Sequence, residues 1–187
     1  DGDDLIFGLA GSDSIYGKAG NDTIEGGDGG DYMDGGAGDD ILNGGAGDDS
    51  LVEGHRLDNG GNDRLTGGEG NDQFQIERIS AAASTILLDG GNGNDYFSYS
   101  AYTDSQSGLN MVANGDAVQA LGGAGNDTFY FRLINGSTID AGDGDDLVSI
   151  DVASRDMTIS LGQGADVFEL TNFTNQIGNL TITDFQA

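Results

Sequence analysis

The chain contains no cysteine, no proline, no tryptophan and a single histidine in 187 residues. Without cysteine there is no disulfide scaffold, and with one histidine the usual ligands of zinc and copper are missing. No HExxH, no GxSxG and no cysteine nucleophile occurs, so the common hydrolytic constellations are excluded. His55 has no positioned partner in the sequence and is read as an exposed loop residue. No apolar run approaches the length of a membrane span, and no N-terminal segment has the pattern of a secretory signal. Positive charge is scarce as well. Lys and Arg number 6 against 33 Asp and Glu, a formal net charge of −27. Such a surface repels nucleic acid phosphates and anionic lipid, which argues against both as partners.

A chain this acidic is expected to stay disordered unless a cation cancels the acid as it folds. The arrangement of the acids shows where that cation belongs. Twelve Asp residues occupy the sixth place of a GGxGxDxUx-like nonapeptide, in which U is a large apolar residue. Asp4, Asp13, Asp22, Asp31, Asp40 and Asp49 recur at a strict nine-residue period. Asp63, Asp72, Asp95, Asp127, Asp146 and Asp166 follow at looser spacing. Asp carboxylates and backbone carbonyls form hard, oxygen-rich sites, which suit Ca²⁺.

The 35 glycines concentrate at repeat positions 1, 2 and 4, where the turn is expected to need conformations closed to residues with a Cβ. The six-residue turn GGxGxD is followed by a short xUx strand whose middle side chain points inward. Reading U down the chain gives Ile6, Ile15, Ile24, Met33, Leu42, Leu51, Leu65, Phe74, Phe97, Phe129, Val148 and Phe168, all apolar. Two nonapeptides make one coil, so each turn stacks on the turn two repeats later, roughly 4.8 Å away as neighbouring strands are. The fold expected is all-β, a right-handed parallel β-roll (β-solenoid). One edge then carries Asp4, Asp22, Asp40 and Asp63; the other carries the remaining eight.

GGAGDDILN (35–43), GGEGNDQFQ (67–75) and GGAGNDTFY (122–130) match the nonapeptide at almost every place. On these motifs the chain resembles the RTX (repeats-in-toxin), hemolysin-type calcium-binding family. The resemblance implies a ligand set: carbonyls of positions 2 and 4 and the Asp of one turn, with carbonyls of positions 1 and 3 and the Asp of the next. For Asp22 and Asp40 these are Lys18, Gly20, Gly35 and Ala37. For Asp31 and Asp49 they are Gly27, Gly29, Gly44 and Ala46, and Gly36 and Gly38 serve Asp40. In the longer column Gly68, Gly70, Gly90 and Asn92 serve Asp72 and Asp95, and Gly91, Gly93, Gly122 and Ala124 serve Asp95 and Asp127. Gly123, Gly125, Ala141 and Asp143 follow, then Gly142, Gly144, Leu161 and Gln163. Lys18 departs from the pattern, which has glycine at position 2. Three pairs on one edge and seven on the other allow about ten calcium ions, which bring −27 to roughly −7, ordinary for a soluble domain.

After Asp72 the spacing becomes 23, 32, 19 and 20 residues, close to a whole coil. U also gains an inward partner two residues on, as in Phe74/Ile76, Phe97/Tyr99 and Phe129/Phe131, which predicts longer strands and a wider core. Return strands are expected in STILLDGG, DAVQALGG, GSTIDAGD, DMTISLGQ and LTITDF, joined by turns such as Arg78–Ser84, Asn135–Ser137 and Ser154–Asp156 that lack GGxGxD. The organisation expected is therefore residues 1–75 as a regular roll with two calcium columns, and 76–187 as wider coils with one. Residues 52–57 are read as a bulge and 100–116 as an insertion covering the core edge rather than a binding loop.

The second acids of the DD pairs (Asp3, Asp39, Asp48, Asp145) fall at position 5 and are expected to face solvent. Their nonapeptide period assigns the paired carboxylates to metal turns rather than to two-carboxylate glycoside chemistry. Thr138, Thr158 and Thr181 form an outward ladder, read as ordinary cross-strand stacking rather than an ice-binding face. Tyr96, Leu147 and Val167 form an outward apolar strip, a candidate contact for a neighbouring domain or subunit. The function expected is a non-enzymatic calcium-binding structural module of a secreted bacterial protein, folding when Ca²⁺ loads it on export, in an S-layer or adhesin. The alternatives are the C-terminal module of a secreted protease, lipase or epimerase, or an ice- or ligand-binding solenoid. The chain begins inside a repeat and reads as part of a larger protein. The resemblance implies type I secretion and an extracellular or cell-surface location.

Overall fold

The computed structural model describes residues 1–53, 61–78, 85–101, 117–132, 136–151, 156–171 and 179–184. Among them are seventeen strands and no helix: β1 (Leu5–Ala10), β2 (Ser14–Ala19), β3 (Thr23–Asp28), β4 (Tyr32–Ala37), β5 (Ile41–Ala46), β6 (Ser50–Glu53), β7 (Asp63–Glu69), β8 (Gln73–Arg78), β9 (Thr85–Asn92), β10 (Tyr96–Ala101), β11 (Ala117–Ala124), β12 (Thr128–Arg132), β13 (Thr138–Asp140), β14 (Leu147–Asp151), β15 (Met157–Ser160), β16 (Val167–Thr171) and β17 (Leu180–Ile182). Odd-numbered strands form a nine-stranded sheet and even-numbered strands an eight-stranded one, each in chain order. Every pairing between them is parallel, as in β1 with β3 and β2 with β4. The chain thus alternates between two stacked sheets, the β-solenoid expected from the repeat.

The register places the U residues over one another. Ile24, Leu42 and Leu65 are in line across the odd sheet, where Leu88 of a return strand continues the row, and Met33, Leu51, Phe74, Phe97, Phe129 and Val148 across the even one. All are buried, and Ile6 and Phe168 at the two ends are partly so. Phe74, Phe97 and Phe129 stack with centroids 4.6 Å apart and planes 10° and 2° from parallel. That separation is close to the strand spacing, so the rings repeat with the backbone that carries them.

One expectation about strand length is corrected and a second holds for part of the chain. β1 to β5 each have six residues, not three, because the parallel ladder continues through the glycine pair: Gly27 pairs with Gly45, and Lys18 with Gly36. Only positions 4 to 6 are left as a corner. The later strands lengthen only in the odd sheet: β9 and β11 have eight residues, whereas β8 and β10 have six and β12 and β14 five. The core widens as expected, because Ile76, Phe131 and Ile150 add a second buried row beside U.

Candidate metal centre

The corner is built from two kinds of glycine. Positions 2 and 4 have positive φ, for instance Gly36 at 101° and Gly38 at 135°. Leu9 and Lys18 take position 2 at φ 82° and 83°, a left-handed backbone that costs a residue with a Cβ about 1–2 kcal/mol. Position 1 is different, and the expectation that it needs an unusual conformation is corrected. Gly17 has ordinary φ, but a Cβ there would overlap both Asp22 Oδ2 and the carbonyl oxygen of Gly35. The same crowding recurs at Gly26, Gly44, Gly67, Gly90 and Gly122. Glycine here leaves a cradle open between a carboxylate and a carbonyl. Ala141 and Leu161 take position 1 in the last two turns, with their side chains in the core.

The position-6 Asp residues are stitched together along each edge. Beyond Asp4 and Asp13, which begin the two columns, Oδ1 of each position-6 Asp accepts a hydrogen bond from the backbone N–H of the Asp one coil earlier. Asp4 to Asp22, Asp22 to Asp40 and Asp40 to Asp63 make one column at 2.7–2.9 Å. The other runs from Asp13 through Asp31, Asp49, Asp72, Asp95, Asp127 and Asp146 to Asp166 at 2.7–3.1 Å. Each bond consumes one carboxylate oxygen and leaves the other.

The second oxygens give the site its chemistry. Oδ2 of Asp13, Asp22, Asp31, Asp49, Asp72, Asp95, Asp127 and Asp146 is buried with no hydrogen-bond partner. An anionic oxygen in that state costs several kcal/mol unless a positive charge meets it. Burial accordingly pushes the carboxyl groups of Asp49, Asp95 and Asp146 up to about 6, and those of Asp72 and Asp127 to about 7; neighbouring acids add to the shift. A hard, oxygen-seeking cation fits the cradle; among the described residues no Lys, Arg or His enters it.

The backbone atoms anticipated as ligands occupy distinct places. Position-1 carbonyls of Gly35, Gly44, Gly90, Gly122 and Ala141 face the Oδ2 of the preceding turn in their column. Position-3 carbonyls of Ala37, Ala46, Asn92, Ala124, Asp143 and Gln163 accept the position-4 N–H of the preceding turn at 2.6–2.9 Å. Those of positions 2 and 4, such as Lys18 and Gly20, lie against the α-carbons of Gly36 and Gly38. Gly27 and Gly29, Gly68 and Gly70, Gly91 and Gly93, Gly123 and Gly125, and Gly142 and Gly144 repeat that stacking against the next coil. A carbonyl has two lone pairs, so a single hydrogen bond leaves one free for a metal.

On the odd edge the Asp row stops at Asp63. Its register continues as Ile86, then Val118 and Ser137, all buried. Ser137 Oγ accepts the Val118 N–H at 3.0 Å, the part an Asp Oδ1 plays elsewhere. At the far end Asp184 accepts the N–H groups of Leu161 and Gly162 and the hydroxyl of Ser160 at 2.8–2.9 Å, which holds its carboxyl below the usual range.

Position 5 is exposed, as expected, yet it is not idle. Asp3 accepts the N–H of Asn21, Asn21 that of Asp39, and Asp39 that of Asn62, at 2.8–2.9 Å. On the other edge the ladder runs from Asp48 through Asn71, Asn94, Asn126 and Asp145 to Ala165 at 2.7–2.9 Å. The sequence signal was present in the Asn or Asp that precedes nine of the twelve position-6 Asp residues. A second residue missed from sequence is Glu53, 1% exposed, whose carboxylate lies with those of Asp40 and Asp63, oxygens within 4.8 Å of one another.

Thr138, Thr158 and Thr181 are in register and exposed. In the apolar strip Thr128 separates Tyr96 from Leu147, with Val167 next. His55, the turns at 79–84 and 133–135, and residues 102–116 of the insertion lie outside the described residues.

Comparison with known proteins agrees with this geometry. No curated protein and no solved structure matches the chain. A family model, the RTX calcium-binding nonapeptide repeat, matches residues 1–32, 16–51, 58–75, 87–101 and 111–132, more than half of the sequence. A roll of stacked Gly/Asp corners with oxygen-lined cradles, carried by these repeats, belongs to the RTX calcium-binding nonapeptide repeat family.

Proposed function

We propose that the chain is a structural module that folds when calcium loads both edges of the roll, with the position-6 Asp residues and the stacked corner carbonyls as ligands. The observation that carries this reading is the row of buried Oδ2 atoms with no donor, those from Asp13 to Asp127 beside a carbonyl of the next coil. Calcium in these cradles supplies the positive charge that the buried carboxylates lack. Ten stacked Asp pairs correspond to about ten ions, three on the odd edge and seven on the even. Residues 1–75 then carry two columns, and 76–187 one column beside a wider apolar core.

Extracellular calcium sites bind at roughly 10⁻⁴–10⁻³ M, so cytosolic calcium leaves such a chain acidic, self-repelling and unfolded. Outside the cell the ions load, and coils stack with the cooperativity of a one-dimensional array. This suits a secreted protein that leaves the cell unfolded by a type I route. A long stiff roll with an exposed Tyr and Val strip suits a spacer in a surface layer or adhesin, with no catalysis of its own. The test is a calcium titration of the chelated protein followed by circular dichroism, with bound ions counted at saturation. Cooperative folding with about ten ions supports the reading. Full β signal in chelator, or two or three ions, overturns it.

A further inference from the structure

Glu53 breaks the repeat in an informative way. It lies 18 residues after Gly35, where the nonapeptide has a position-1 glycine. In seven other turns, the oxygen facing the cradle of a position-1 glycine comes from the carbonyl of the position-1 residue one coil later: Gly26 for Gly8, Gly35 for Gly17, Gly44 for Gly26, and so on to Ala141 for Gly122. At Gly35 alone, among the described residues, that place is taken by a side-chain oxygen, Glu53 Oε1, beside Asp40 Oδ2.

We propose that Glu53 is a calcium ligand, and that Asp40, Glu53 and Asp63 form a three-carboxylate site that binds more tightly than the two-carboxylate sites elsewhere in the roll. The inference rests on the calcium reading above and goes beyond it by naming a ligand outside the repeat pattern and an order of loading. The backbone fixes the arrangement. Glu53 pairs in register with Ile76 of β8, and the Asp40 N–H donates to Asp63 Oδ1 at 2.9 Å across a spacing of 23 residues rather than 18. A carboxylate oxygen thus takes the place that a neutral carbonyl holds in the other turns. Three buried carboxylates with oxygens inside 4.8 Å attract a cation more strongly than two do. Ligand charge count is a principal means of tuning calcium affinity, so this site loads first and seeds the stacking of its neighbours.

The experiment is calorimetric calcium titration of the whole chain, wild type and Glu53→Gln, with Asp145→Asn, an exposed position-5 residue, as the control. Expected is one ion in a tight class for wild type and for Asp145→Asn. In Glu53→Gln that ion joins the weak class, with a loss of about tenfold or more in affinity. A tight class that persists in Glu53→Gln, or is missing from wild type that still binds calcium, overturns the inference and leaves the calcium reading standing. No calcium binding by wild type overturns both. Should Glu53→Gln fail to fold, the wild type decides by lanthanum competition. A trivalent ion should release one calcium well before the rest, and simultaneous release of all ions refutes a three-carboxylate site.

Discussion

Replacing Asp127 by Ala should be far more damaging than replacing Asp4, although both take position 6 of the same repeat pattern. Asp127 is interior to its column: its Oδ1 accepts the Asp95 N–H at 2.7 Å, its N–H donates to Asp146, and its Oδ2 faces the Ala141 carbonyl. In the calcium reading proposed above it borders two cation sites. At calcium a hundredfold above the dissociation constant, each bound ion contributes about 2.7 kcal/mol, so two lost ions amount to about 5 kcal/mol. The buried Asp95 amide, left without its acceptor, adds about 1–3 kcal/mol. A total of about 6–8 kcal/mol rivals the whole stability of an ordinary domain. Asp4 is exposed at the end of its column, and its N–H, which the substitution keeps, donates to Asp22. One ion is at stake there, about 2.7 kcal/mol. Urea unfolding at a series of calcium concentrations reads both quantities. The dependence of stability on calcium should fall by two ions for Asp127→Ala and by one for Asp4→Ala. Equal losses with equal slopes would refute the shared-ligand column.

Acid should substitute in part for calcium. Burial raises Asp49, Asp95 and Asp146 to about 6 and Asp72 and Asp127 to about 7, all above their unfolded value of 3.8. Between about pH 4 and 7 the metal-free fold thus holds more protons than the unfolded chain, and its stability falls as pH rises through that window. Chelated protein should gain β circular dichroism from pH 8 to pH 5, whereas the calcium-loaded form should lose calcium over the same range; a chelated signal indifferent to pH contradicts the buried-carboxylate account. Asp145→Ala removes the acceptor of the Ala165 N–H, an exposed bond of 2.8 Å, and should cost about 0.5–1.5 kcal/mol with no change in the number of ions bound. Loss of an ion would make position 5 a ligand.

What the sequence revealed and what it concealed divide along a physical line. The nine-residue period names the Asp residues and their two edges, because each lies in a local pattern that any single repeat displays. The inward row from Ile15 to Val148 was legible for the same reason. Features that exist only between coils were not. Strands run on through Gly27 and Gly45 because a neighbouring ladder receives them, and Asn21 matters because Asp39 lies one coil later. Glu53 looks like a charged residue in an irregular stretch until Gly35 is placed beneath it. The position-1 glycines show the limit well: composition marks them as special, but only the stacked coil shows that space, not φ, is the reason.

The two side-chain ladders run in opposite senses along the roll. A position-6 amide is satisfied by the coil that follows it, a position-5 amide by the coil that precedes it. A break between any two interior coils therefore strands a donor on both new faces, and neither face heals itself. Removing one entire coil lets the flanking faces meet and restores both bonds. The array is thus quantised: its length can grow or shrink by whole coils, and gene duplication within it should respect the 18-residue unit, as the spacing from Asp4 through Asp22 to Asp40 does.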